Sequence, residues 1–507
     1  MFATWRGDLL ALIAGGLLPL AFAPFELYPV AIVSLVTIFL LWLDGTARRA
    51  MWRGLLFGIG MFGFGVWWVF ISMYHYGNVG FALSLFITSM FVLVFATFLA
   101  LTGGVSVKFR QYFNLPSTTA LLWCFPAVWV LFEWVRGWMF TGLPWLNLGY
   151  SQIETPLGGF AALFGVYGVS FTVALSAAFI AIVIRNIYIG QKSFHIVALA
   201  LLWCGGLLAS QVSWVEPAGD PMKVTLIQGN IPQELKWLPS MKAPTIDLYA
   251  QLTRENWGSD LIIWPETALP AFFHESTNFL AGLAEEARHN NTDILLGLVY
   301  LDAEKRQYYN TMMSLGSATG FYHKRHLVPF TEYLPLKEWL SVLVDIIQVP
   351  MSDFSAGSDD QRPLPMAGQK VGISICFEDA FGEEVIMQLP EATLLVNVSN
   401  DAWFSDSSAP HQHLQIARMR AKESGRPLLR ATNTGISAII DHQGRFQSIA
   451  PQFEEATLSD TVVPMQGTTP YVMVGNIAIL VLILVSLAVP LVRRQLRADF
   501  SDGDRGR

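Results

Sequence analysis

Charge is scarce in this sequence, and unevenly so. Asp, Glu, Lys and Arg make up 14% of its 507 residues, against roughly 25% in ordinary soluble proteins. The shortage falls on one end: residues 1–217 hold nine Lys/Arg and six Asp/Glu, whereas residues 218–468 hold eighteen and thirty. A chain that is soluble throughout is thereby excluded, and the acidic excess of the second stretch argues against a nucleic-acid partner, which would be held through Lys and Arg. Cysteine is almost missing too, with only Cys124, Cys204 and Cys376 present. No two of them have the spacing of a zinc site or suggest a disulfide framework. His411 and His413 form an H-x-H pair without further ligands, so neither metal nor cofactor is expected. Cys124 and Cys204 lie in apolar runs and read as inert helix residues. Cys376 is different: it ends the apolar stretch of "VGISICFED" (371–379), beside two acids.

What is abundant is apolar sequence, 53% of the chain. A bilayer core of about 30 Å needs roughly 20 apolar residues in a helix. Spans are expected near 9–24, 28–43, 54–75, 80–103, 117–136, 158–184, 194–212 and 471–492. With these eight, Arg6, Arg48, Arg49, Arg53, Lys108, Arg110, Arg185, Lys192, Arg493, Arg494 and Arg497 all fall on one side, and the opposite loops hold only Arg136. Basic residues mark the cytoplasmic side, so both termini are expected there and the large domain between spans seven and eight outside. Arg6, the apolar run after it and Ala21-Phe22-Ala23 resemble a cleaved signal peptide, but cleavage would spoil the charge pattern, so the first span is expected to stay. The loop "WVRGWMFTGLPWLNLGY" (134–150) carries Trp134, Trp138, Trp145 and Tyr150. It reads as an aromatic belt at headgroup level, or as the floor of a lipid-facing site. The domains are then 1–217 with seven transmembrane helices, 218–468 as a soluble domain, 469–492 as an eighth helix, and a charged tail, 493–507, expected to be disordered.

Within 218–468, strand-like and helix-like stretches alternate. Strands are expected at 223–230, 260–267, 293–301, 308–316, 320–328, 370–378, 393–401 and 427–441, and helices near 241–256, 276–290, 380–388 and 411–425. This pattern implies a sheet-rich, layered α/β domain; no internal sequence repeat is visible. Three of the strands end in a chemically useful group. "IIWPE" delivers Glu266, "FYHK" delivers Lys324 and "GISIC" delivers Cys376. A free thiol has a pKa near 8.5 and is a few per cent thiolate at neutral pH. A carboxylate can accept its proton, and an ammonium with a nearby backbone N–H can hold an oxyanion. A Cys–His pair is the usual alternative, with His323, His326, His411 and His413 as candidates, but no sequence feature pairs any of them with Cys376.

"IIWPET", "YHKRHLVPFTEYLP" and "ISICFED" resemble the three blocks of the nitrilase superfamily, whose triad is Glu, Lys and Cys in this order. The membrane layout, with "AFAPF" (21–25), "LIQGNIPQELKW" (226–237), "YYNT" (308–311), "NVSNDAWF" (397–404) and "HQHLQIARMRAKESGRPLLRATNTG" (411–435), is similar to the apolipoprotein N-acyltransferase family of bacterial inner membranes. The resemblance covers essentially the whole chain. It implies an αββα sandwich for the soluble part, placed in the periplasm. It implies a ping-pong reaction: a phospholipid acyl chain passes to the thiol as a thioester, then to the amine of a diacylglyceryl-cysteine at an apolipoprotein N-terminus. Carried over, Glu266 is the general base, Lys324 the oxyanion stabiliser and Cys376 the nucleophile. Glu332 matches a further carboxylate that orients Lys324, and Trp237, Phe377 and Glu378 match positions around the acyl site. The family often has Tyr where Phe377 stands, which removes a phenol hydroxyl.

A membrane-tethered amidase or nitrilase would use the same triad with water as acceptor, although one anchor would serve it. A transporter would place ionisable residues deep in its spans, whereas acids such as Glu133 fall near the expected span ends. The stretch "PLKEWLSVLVDIIQVPM" (335–351) is apolar nearly all round at helical spacing. It reads either as a core helix or as an arm dipping into the outer leaflet to gate lipid entry.

Overall fold

A computed structural model describes residues 5–77, 79–333 and 353–503. The expected arm at 335–351 lies outside them. The chain forms two compact units, one of Met1–Trp67, Leu85–Val212 and Val474–Arg507, the other of Trp68–Ser84 and Ser213–Met473.

The first unit is helical, and every stretch expected to span a membrane contains helix. Among the described residues, Phe81–Tyr112, Ser117–Arg136 and Pro156–Tyr188 are long and apolar enough to cross a bilayer. A fourth is reached if Ala47–Gly65 and Trp68–Tyr76, bent by 50°, count as one broken span. Pro29–Leu43, His195–Ala209 and Ile477–Val492 are shorter apolar helices. At about 1.5 Å per residue, the 15 residues of Pro29–Leu43 cover only part of a hydrocarbon core. Small residues let these helices touch. A Cβ on Gly15 would lie 2.0 Å from the Phe57 carbonyl oxygen, and one on Gly60 2.4 Å from that of Leu12, the close backbone approach on which helix packing in lipid depends. In the aromatic loop, Trp145 and Tyr150 are buried and Trp138 is exposed. The loop folds onto Arg136, whose guanidinium donates to the carbonyls of Leu143 and Trp145 and to Asn147 Oδ1. The described part of the tail, residues 493–503, departs from expectation. The last helix runs on from Ile477 to Gly503, because "RRQLRAD" is made largely of good helix formers.

The second unit is a sandwich of two six-stranded sheets. Its strands are β1 (Val215–Pro217), β2 (Met222–Gln228), β3 (Leu261–Ile263), β4 (Asp293–Asp302), β5 (Gln307–Leu315), β6 (Gly320–His323), β7 (Leu364–Met366), β8 (Gln369–Ile375), β9 (Leu394–Ser399), β10 (Leu428–Thr432), β11 (Ala438–Ile440), β12 (Phe446–Ile449), β13 (Ala456–Val462) and β14 (Met465–Gly467). One sheet has the order β13-β2-β3-β4-β5-β6, the other β12-β11-β10-β9-β8-β7, and β1 pairs with β14 separately. In each sheet three neighbouring strands are parallel, β2-β3-β4 and β8-β9-β10, and the rest antiparallel. The same plan thus occurs twice without a repeat in sequence.

Val224, Leu226, Leu261 and Ile263 of one sheet interleave with Val371, Ile373, Val396 and Val398 of the other. The outer face of the first sheet packs on helices Pro239–Arg254 and Thr277–His289 through Tyr249, Leu252, Leu280 and Leu283. The outer face of the second packs on Ser408–Ser424 through Leu414, Ala417 and Ala421. Four layers, αββα, result. Strands buried on both faces read as continuous apolar runs, and for that reason they were visible in sequence. The departures are local. The stretch 427–441 is two antiparallel strands, β10 and β11, since "TNTG" turns the chain. The expected helix at 380–388 is only Gly382–Ile386, after a 3-10 turn. Strand 320–328 ends at His323. The edge strands β7, β12 and β13 were not anticipated: β7 is only three residues with a proline at its centre, and polar residues interrupt the other two.

Candidate active site

The parallel strands of both sheets end at one place, where open α/β sheets generally offer a crevice. β8 runs straight to Ile375, and the next residue, Cys376, has φ 53° and opens the 3-10 turn Cys376–Ala380. A residue with a Cβ is strained in this left-handed region by about 1 kcal/mol or more. Surrounding bonds hold it there. Asn397 Nδ2 donates to the Cys376 carbonyl at 3.2 Å, and Glu378 Oε2 accepts from the Ile375 N–H at 2.7 Å. The thiol is half-buried.

Glu378 also builds the link to Lys324. Its Oε1 accepts from the backbone N–H groups of Arg325 at 2.6 Å and His326 at 3.1 Å, and its Oε2 from Tyr322 Oη at 3.0 Å. One buried carboxyl therefore ties the chain just past β6 to the turn just past β8. Burial raises its pKa, opposed by the Ile375 N–H and by Lys324.

Lys324 is 1% exposed. Its Nζ lies 2.8 Å from Glu332 Oε1 and 3.6 Å from Glu266 Oε1. Burial alone would lower its pKa, but Glu332 and then Glu266 outweigh it and hold the ammonium above the ordinary lysine range. Glu332 Oε2 accepts from the Val328 N–H at 2.8 Å, closing a loop in the chain that carries it.

Glu266 follows β3 through Trp264 and Pro265. Its two oxygens are held by Asn310 Nδ2 at 2.7 Å and the Asn400 N–H at 2.9 Å. Asn310 also accepts the Lys324 N–H on its carbonyl at 2.8 Å, so β5 holds both the acid and the amine. Thr267 then turns with φ 45°, packed so closely on Gly297 that a Cβ there would sit 2.4 Å from the Thr267 nitrogen. The thiol feels this company: burial first and then Glu266 raise its pKa, while Lys324 pulls it down. At rest the cluster therefore holds a thiol beside an ammonium, with a hydrogen-bonded carboxylate near enough to oppose the thiolate.

Glu266, Lys324, Cys376, Glu332 and Glu378 thus come together as one connected group. Phe377 packs edge-on against His326 and Phe381. Trp237 is 40% exposed and takes no part in the hydrogen-bonded cluster.

Two features escaped the sequence reading. Lys236, buried beside Trp237, donates to the Glu266 carbonyl at 3.2 Å and to Thr267 Oγ1 at 2.8 Å; burial lowers its pKa to about 8, against the pull of Glu266. A charged lysine next to an exposed tryptophan in "QELKW" was the available signal. The other is a set behind Cys376: His413, Asp379, Asp401 and Arg430 are each at most 2% exposed. Adjacent polar residues in "SNDAW" and "RATNTG", flanked by apolar strands, were the signal there.

Comparison with known proteins agrees with this architecture. Residues 14–179 match the family model of the apolipoprotein N-acyltransferase N-terminal domain, and residues 223–469 that of carbon-nitrogen hydrolases. The chain is 47% identical to an apolipoprotein N-acyltransferase of Methylococcus capsulatus, over 93% of each chain. It is 45% identical to that of Nitrosomonas europaea, over 91% of this chain and 92% of the other. For that of Coxiella burnetii the identity is 40%, over 94% and 99%. Alike from the first helices to the last strand, the chain belongs to the apolipoprotein N-acyltransferase family.

Proposed function

We propose that this protein moves a fatty acyl chain from a phospholipid, through a thioester on Cys376, to the N-terminal diacylglyceryl-cysteine amine of apolipoproteins. The observation that carries the reading is the single hydrogen-bonded cluster of Glu266, Lys324 and Glu332 beside the Cys376 thiol. Cys376 Sγ attacks the ester carbonyl as Glu266 takes its proton. The carbonyl oxygen becomes an oxyanion, held by the Lys324 ammonium and the Phe377 N–H. The C–O bond then breaks, the leaving oxygen takes the proton from Glu266, and lysophospholipid departs. In the second half the lipoprotein amine attacks the thioester, Glu266 accepts an amine proton, the C–S bond breaks, and the sulfur is reprotonated. One thiol serves two lipids in turn, so the kinetics are ping-pong.

Donor and acceptor both live in a bilayer, which accounts for the apolar helices attached to the catalytic domain. In this reading eight membrane crossings place both termini in the cytoplasm and residues 218–468 in the periplasm of a bacterial inner membrane, with 469–492 as the last crossing. The one-sided distribution of Arg and Lys supports that orientation.

Incubation of the membrane enzyme with phosphatidylethanolamine labelled in its acyl chain tests the proposal. An acyl adduct on Cys376 seen by mass, release of lysophospholipid, and loss of both in Cys376→Ser are expected. Full transfer by Cys376→Ala would overturn it, as would hydrolysis of small amides with no adduct from lipid.

A further inference from the structure

Behind Cys376 lies a sealed group of charges that the chemistry above does not use. His413, on helix Ser408–Ser424, is 2% exposed. Its Nδ1 faces Asp401 Oδ1 at 3.1 Å; its Nε2 faces Asp379 Oδ1 at 2.9 Å and the Cys376 carbonyl oxygen at 3.2 Å. Arg430 of β10 donates to Asp401 Oδ2 at 2.8 Å and lies 3.5 Å from Asp379 Oδ2. Ser399 Oγ donates to Asp401 Oδ1 at 2.7 Å.

The ring's protonation state follows from these partners. A neutral imidazole has one N–H and one lone pair. Here both ring nitrogens face oxygens that only accept, so a neutral ring would set a lone pair against a lone pair on one side. His413 is therefore an imidazolium. Charge balance agrees: two carboxylates, a guanidinium and an imidazolium cancel, and an uncompensated buried charge is costly. Burial and Arg430 push the His413 pKa down, yet Asp379 and Asp401 raise it to about 9.

The Cys376 carbonyl gives this charge a consequence. That oxygen accepts from both His413 and Asn397. Among the described residues the cis peptide bonds are Ala23–Pro24 and Leu389–Pro390, so the 376–377 peptide is trans and planar. The Phe377 N–H then points away from the Cys376 carbonyl across one rigid plane. Pinning the oxygen aims the N–H. A cation at the oxygen also draws electron density through the amide and makes the N–H a stronger donor, as in any polarised hydrogen-bond chain.

We propose that His413, as an imidazolium, is a positioning residue that polarises the 376–377 peptide and so strengthens the Phe377 N–H that receives the oxyanion. This rests on Cys376 being the nucleophile.

Two reactions of the full-length membrane enzyme separate the role from mere support of the fold. Acyl transfer from phosphatidylethanolamine passes through an oxyanion. Alkylation of Cys376 by iodoacetamide displaces iodide at a saturated carbon and forms none. In His413→Gln, kcat for transfer is expected to fall about 10- to 100-fold, less than the roughly 10²–10³-fold typical of losing a whole donor. KM is expected to stay unchanged, and alkylation to slow much less than transfer, since the less compensated Asp401 carboxylate opposes the thiolate. If His413→Gln does not accumulate, the charge-balanced pair His413→Gln/Asp379→Asn is read instead, with the same split expected. Equal loss of both reactions, or unchanged transfer, overturns the proposal. Transfer surviving in Cys376→Ala would instead remove the nucleophile itself, and the proposal with it.

Discussion

The Lys324 ammonium sits closer to Glu332 than to Glu266, at 2.8 Å against 3.6 Å. The nearer carboxylate holds the cation off the farther one, so Glu266 keeps the freedom to accept a proton. Glu332→Gln is expected to let Lys324 swing onto Glu266 and cut acyl transfer by roughly 10²-fold or more, the scale on which a general base contributes. Initial rates with labelled phosphatidylethanolamine check this; a near-normal rate would deny Glu332 the role of spacer.

Removing Glu266 should make Cys376 more reactive and less useful at once. Its charge raises the thiol pKa while Lys324 lowers it. In Glu266→Gln that charge is gone while Lys324 stays, so alkylation by iodoacetamide at neutral pH is expected to speed up. Acyl transfer is expected to fall about 10²–10⁴-fold, since nothing takes the proton during attack. Slower alkylation in this variant would contradict the electrostatic account.

The turn that carries Glu266 has no room behind it. In Gly297→Ala the new Cβ would lie 2.4 Å from the Thr267 nitrogen and 2.5 Å from the Pro265 oxygen, both backbone atoms. The turn must move, and the Glu266 carboxylate with it. A displacement near 1 Å commonly costs on the order of 10²-fold in rate. That loss is expected, with a thioester on Cys376 that forms slowly in single-turnover assays; normal acylation would show that the turn tolerates the shift.

Stability should fall with rising pH through His413. Its pKa is raised from 6.5 to about 9, between Asp379, Asp401 and Arg430. A raised folded-state pKa stabilises fully below the unfolded value and loses that contribution as pH climbs through the folded one. The window is therefore about pH 6.5 to 9, and the linked contribution is on the order of 3 kcal/mol. Thermal unfolding in detergent followed across that range is expected to slope downward in the native enzyme and to flatten in His413→Gln. Equal slopes would mean that His413 does not titrate there.

Much of the fold was legible because its parts are locally encoded. β2, β3, β8, β9 and β10 are buried on both faces and stand out as apolar runs, whereas β12 is exposed along most of its length and β13 exposes alternate residues, so both merge with loop sequence. Glu266 and Cys376 were legible because each closely follows such a run; Lys324, after the half-buried β6, was legible through its place in "YHKRHLVPFTEYLP". Glu378 was legible only as a neighbour of Cys376. Its bonds to Arg325 and His326 cross more than fifty positions of chain, and sequence spacing carries no record of them. His413 looked like half of a poor metal pair, and only the oxygens of Asp401, Asp379 and Cys376 at its two ring nitrogens reveal a cation.

Composition and periodicity alone determined that one part of this chain is apolar helix and the other layered sheet, because hydropathy and side-chain alternation are properties of consecutive residues. Which groups meet was decided only by the stacking of two sheets. The Asn400 N–H reaches Glu266 across 134 positions, and the left-handed turn at Cys376, braced from within by Glu378, is held from outside by Asn397 of a neighbouring strand and His413 of a helix. Such convergence depends on the register and packing of distant segments, and no short stretch of sequence contains it.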